Sequence, residues 1–132
     1  MDRDGKRPLS WLAVGAGAAL GAWLRWRLGI WLGSLHAFVQ VGTLAANLLG
    51  GYLVGLALGF FTGHPGLAPE WRLFAITGFL GGLTTFSSFS GESVVLLQRG
   101  EIGWALLHTA LHLLGSLLLC AAGFATWRAL RG

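Results

Sequence analysis

The sequence predicts an all-α membrane protein, a single domain over residues 1–132 with four transmembrane helices. Three observations carry that expectation. Hydrophobic residues make up 55% of the chain and charged residues only 11%, against about a quarter charged in ordinary soluble domains. Four apolar stretches, Leu9–Leu32, Phe38–Phe61, Trp71–Leu97 and Ile102–Trp127, each reach the roughly 20 residues that a bilayer-spanning helix needs. The connections between them are short, which makes successive helices antiparallel neighbours and leaves no room for a soluble domain.

The first stretch is long, carries Arg25 and Arg27, and has no clear small-residue cleavage site after it, so it reads as a retained span rather than a signal peptide. The second holds Thr43, Asn47, Gly51, Gly55 and Gly59 at intervals of four, one stripe along a helix. Small residues at that spacing allow another backbone close approach. Asn47 stands apart from them, because an amide in an apolar interior must find partners. It either stabilises a helix contact or points donors at a pathway. The linker TGHPGLAPE, Thr62 to Glu70, contains two prolines and two glycines and is a loop.

The third stretch contains GFLGGLTTFSSFSGE, Gly78 to Glu92, with four glycines and five hydroxyls in fifteen residues. Each glycine costs a helix roughly 1 kcal/mol relative to alanine, so a break is expected around Gly81-Gly82 and Thr84-Thr85. Irregular backbone at membrane depth is tolerated only where it is buried in protein or lines a wet cavity, and freed carbonyls and amides there commonly hold ions. Phe86 and Phe89 share a helix face among Ser87, Ser88 and Ser90; such a pair is ordinarily core. Glu92 is the only acid inside any of the four stretches, which makes it a functional candidate, although its place near a segment end also suits an interfacial position. In the fourth stretch His108, His112, Ser116 and Cys120 recur every four residues. Two histidines at that spacing can chelate zinc, but a site needs further ligands, and no neighbouring Cys or Asp pattern supplies them. Hydrogen bonding at a pore or interface, or plain packing, are the other readings.

Other classes are disfavoured. The net charge of +4 comes from basic residues scattered at segment ends, not gathered on a stripe, so lipid headgroups are expected partners and nucleic acid is not. Arg3, Lys6, Arg7, Arg72, Arg128 and Arg131 fall on one side against Arg25, Arg27 and Arg99 on the other, a weak lean to a cytoplasmic N-terminus. The single Cys120 gives no disulfide framework. The chain has no glycine loop followed by Lys, no Ser/His/Asp constellation and no multi-cysteine spacing, so an enzyme is not expected. A small proton-coupled drug exporter would need an acid in the first stretch, which has none. A membrane subunit that only packs through its glycine stripe is the remaining alternative.

Taken together, the run Gly21-Ala22-Trp23-Leu24-Arg25, then GTLAANLLGGYLVG (Gly42–Gly55), then GFLGGLTTFSSFSGE resemble, over essentially the whole chain, the small fluoride channels of the Fluc/CrcB family. The resemblance implies an antiparallel dual-topology homodimer with two pores in a bacterial inner membrane, passively exporting fluoride. It further implies that Asn47 lines the pore, that Phe86 and Phe89 form an aromatic box turned edge-on to the anion, and that hydroxyls of Thr85, Ser88 and Ser116 assist. By the same match the carbonyls of Gly81 and Thr84 hold a structural Na+ at the dimer axis, and Arg25 belongs to the first motif. His108 and His112 depart from the hydroxyl-rich track of that family; Ser116 keeps it.

Overall fold

The structure, a computed structural model, describes residues 8–33 and 35–132; Arg3, Lys6 and Arg7 of the charge count lie outside them. Helix α1 (Pro8–Leu32) starts with proline in its first turn, where no amide is needed. Helix α2 (Val41–Thr62) follows a loop in which the His36 ring accepts the amides of Phe38 and Val39. Helix α3 (residues 69–83) again opens on proline and widens into π-helical turns over Leu73–Leu80 before Gly81–Leu83. Helix α4 (Phe86–Gln98) and helix α5 (Ile102–Arg131) are joined by a turn at Gly100, whose φ of 76° is left-handed.

Three helical runs are long and apolar enough to cross a bilayer: Val41–Thr62, Pro69–Gln98 and Ile102–Arg131. They make this a multi-pass membrane protein. Helix α1, at 25 residues, is long enough, but its glycines, tryptophans and Arg25 and Arg27 dilute its hydropathy, so it does not join those three. It packs along α3, as α2 does along α5. The α2–α5 contact is a meeting of two backbones: a Cβ on Gly55 would collide with the Cys120 carbonyl, and one on Gly123 with that of Tyr52. Ala46, Leu80 and Leu83 are buried where α2 meets α3, with Leu24 and Leu28 of α1 against them. Long apolar side chains elsewhere point outward, among them Trp11, Trp23 and Leu118, as the side chains of a helix facing lipid do.

The expected break is present, at the second of the two expected pairs. Gly81 and Gly82 remain helical; the chain becomes extended at Thr84 (φ −88°, ψ 156°) and Thr85 (φ −152°, ψ 118°). Helix α4 then restarts with Thr85 as its N-cap, the Thr85 hydroxyl oxygen accepting the amide of Ser88 at 3.1 Å.

Candidate functional site

The break is held open by a side chain from another helix. The Thr85 amide donates to Asn47 Oδ1 at 2.8 Å, and Asn47 Nδ2 donates back to the Thr85 carbonyl at 3.0 Å. This reciprocal pair treats the Asn47 amide as one rung of a β ladder and fixes which end is oxygen. The second Nδ2 hydrogen goes to His112 Nδ1, 2.9 Å away. An amide nitrogen cannot accept, so Nδ1 of His112 must be the acceptor, and the proton of the neutral ring sits on Nε2.

The diverted amides have consequences for α3. In an unbroken helix the Thr85 amide would bond the Gly81 carbonyl and the Ser88 amide the Thr84 carbonyl. Both amides are engaged elsewhere, on Asn47 and on the Thr85 hydroxyl. Between these two carbonyls, that of Gly82 accepts from Arg25 Nε at 3.1 Å, while Leu80 takes both the amide and the hydroxyl of Thr84. Arg25, an apparent liability in an apolar helix, thus serves as a donor to the end of α3. Gly81 is exposed and Thr84 half-buried.

Beside the break lies an open groove of about 380 Å³. Asn47 and Gly51 of α2, Thr84 and Thr85 at the break, Phe86 and Phe89 of α4, and His112, Ser116 and Cys120 of α5 line it. The Phe86 and Phe89 rings meet edge to face, with centroids 5.5 Å apart at 74°. Phe89 also stacks on His112 at 4.7 Å and 25°, so one face of its ring is covered by imidazole. Phe86, which also lines the groove, is 78% exposed. Ser88 does not line this groove, and its amide is spent on the cap.

Behind the groove wall the polar stripe of α5 meets Glu92. His108 is completely buried, and its Nε2 lies 3.2 Å from Glu92 Oε1. The other carboxylate oxygen accepts from the Thr43 hydroxyl at 2.7 Å. His108 and His112 stand edge to face, centroids 4.4 Å apart. The structure therefore joins half-buried Thr43, Glu92, Asn47 and Thr85 with the buried His108 and His112 into one polar chain across α2, α4 and α5. The stripe spacing in α2 and α5 pointed to most of these residues. Glu92 was legible only as an isolated acid, because its partners lie on other helices.

Residues 12–124 match the family described as "CrcB-like protein, Camphor Resistance (CrcB)". A protein of Cupriavidus pinatubonensis named "Fluoride-specific ion channel FluC" is 63% identical over 123 residues, covering 93% of this chain and 98% of its own. A Pseudomonas putida protein of the same name is 59% identical, with 93% and 97% covered. One from Aromatoleum aromaticum, also so named, is 55% identical, with 93% and 94% covered.

Proposed function

The chain belongs to the CrcB-like family, and from that premise we propose that it is a fluoride-selective channel whose ion path runs along the Asn47–Phe86–Ser116 groove. It is not an enzyme: the family is one of ion channels. The observation that carries the reading is the Asn47–Thr85 pair, which fixes a few polar groups in a mostly apolar groove at a helix break.

Fluoride is small and holds its water tightly, so a selective path must replace that shell with compact donors while binding weakly enough for the ion to leave. The Thr85 and Ser116 hydroxyls line the groove at that scale. Both Asn47 amide hydrogens are committed, one to Thr85 and one to His112, so Asn47 organises donors and reaches the ion only by exchanging one of these bonds. An aromatic ring is positive at its edge, and the edge-to-face Phe86–Phe89 pair lines the groove, where an edge turned to the path would attract the anion. Passive flow down the gradient would release fluoride from a bacterial cytoplasm across the inner membrane.

The groove is open along one side and Phe86 projects from it. A second, antiparallel copy of the chain closes it in this reading, giving two paths per dimer and eight spanning helices, α1 included. The carbonyls of Gly81 and Thr84 suit a structural Na+ between the copies: they are oxygens whose helical amide partners have been diverted, on an exposed and a half-buried residue respectively. Such an ion would neutralise carbonyl dipoles brought face to face, and it would contribute to assembly without being transported.

The reading is tested by comparing fluoride efflux from proteoliposomes for Asn47→Asp and Ser88→Ala. The aspartate keeps shape but removes both donors and adds charge that repels an anion, so flux should fall at least about tenfold, equivalent to ~1.4 kcal/mol on the barrier. Ser88→Ala, outside the groove lining, should remain near wild type. Full flux in Asn47→Asp would remove the groove from the ion path.

A further inference from the structure

The cluster behind the groove is poorly explained by hydrogen bonding alone. Both ring nitrogens of His108, Nε2 of His112 and Oε1 of Glu92 are buried, and among the described residues none has a partner in full hydrogen-bond geometry, although the Phe89 backbone faces the His108 ring. His108 Nε2 and Glu92 Oε1 are close, at 3.2 Å, yet not aligned for a hydrogen bond. Two imidazoles, 0% and 3% exposed, thus hold three nitrogens with no well-aligned partner, and an unsatisfied buried group costs about 1–3 kcal/mol. Buried polar atoms in this condition call for a bound water or ion.

We propose that Glu92, His108 and His112 form a binding site for a divalent transition-metal ion of the zinc class. One ligand atom from each of the three lies within 4.8 Å of the other two. Tetrahedral zinc with ligands at about 2.0–2.1 Å sets them about 3.4 Å apart, so side-chain rotations of roughly 1 Å close the set. The donors are of the right kind, two imidazoles and one carboxylate, with a fourth position left for water or an anion. The carboxylate is oriented by the Thr43 hydroxyl on its other oxygen, the outer support that metal-binding carboxylates usually have. His108 and His112 alone, one turn apart on α5, lacked a third ligand; the fold brings it from α4.

Metal binding and the groove are mutually exclusive in one respect. His112 Nδ1 accepts from Asn47, so a metal on Nδ1 displaces that hydrogen bond directly. A metal on Nε2 moves the ring proton to Nδ1, where it faces the amide's own N–H. Either way occupancy breaks the Asn47–His112 contact, so the ion should inhibit fluoride flux; this second part rests on the function proposed above.

Binding is tested apart from flux by titrating chelator-treated, purified full-length protein with Co2+ and reading its visible d–d absorption, then displacing it with Zn2+. The expected result is one saturable tetrahedral site per chain, weakened by at least the 10–100-fold typical of lesser, outer-sphere losses in each of His108→Gln and Glu92→Gln. The Cys120→Ser variant should keep it. Absence of a saturable band, or wild-type affinity in both His108→Gln and Glu92→Gln, as ions on His36, His64 or the thiol would give, overturns the site. Zinc should also raise the thermal midpoint of wild type but not of Glu92→Gln, and equal shifts count against it. In proteoliposomes, zinc should reduce wild-type flux to a fraction it does not reach in His108→Gln. A metal band with no fluoride flux at all would leave the site standing and refute the channel reading.

Discussion

At the residue scale the two phenylalanines are a sensitive probe, because they share a motif but not an environment. Phe89 stacks on His112 and meets Phe86 edge to face, whereas Phe86 is largely exposed. Replacing either with isoleucine keeps bulk and removes the ring quadrupole, so both variants should lose most fluoride flux in a liposome assay. Phe89→Ile should also lower the thermal midpoint, since it deletes ring contacts worth about 0.5–1.5 kcal/mol, while Phe86→Ile should change it less. Wild-type flux in both would return the rings to simple packing. Such residues were legible as spacing: Asn47 on the stripe of α2, Phe86 and Phe89 three apart, His108 to Ser116 along α5. What spacing along one helix does not give is a partner on another. The pairing of Asn47 with Thr85, and of Glu92 with His108, spans 38 and 16 positions respectively, the first read from its hydrogen bonds and the second from its ion-pair distance.

Elements show why the break, expected around Gly81-Gly82 and Thr84-Thr85, falls at the second pair. Gly81 and Gly82 have the freedom to leave a helix but stay in it. The chain departs at Thr84 and Thr85, where Asn47 captures an amide that the helix would otherwise use. Gly82 instead serves contact: a Cβ there would press on the backbone of Ala18 in α1. The widened turns over Leu73–Leu80 had no local signal either; that stretch is apolar and would suit an ordinary helix equally well. The small-residue stripe of α2 was read correctly as a packing seam, and it can be tested as one. Gly55→Val should open the α2–α5 contact and lower the thermal midpoint of the purified protein by several degrees, as expected for about 1–3 kcal/mol of overpacking. Gly15→Ala, where a Cβ meets nothing within 4 Å, should be neutral or stabilising by up to about 1 kcal/mol. Equal effects of the two substitutions would contradict the seam.

For the whole molecule, composition sufficed to place the chain in a membrane, because three of its helical runs can hardly be solvated otherwise. Helix α1 is less apolar, and what sets it beside those three is its packing along α3. A second copy leaves no periodic signature in one chain; the open groove and the exposed Phe86 are the features that the proposed partner would cover. The relatives' shared name and the geometry of the break converge on one physical claim, that this protein by itself provides a selective, passive path for fluoride. The most direct measurement loads proteoliposomes containing only the purified protein with fluoride or with chloride and follows anion efflux under a potassium gradient with valinomycin. The account predicts rapid fluoride efflux with no proton gradient required and chloride release no faster than from empty liposomes. Equal release of the two anions, or no release of either from well-folded protein, would contradict it.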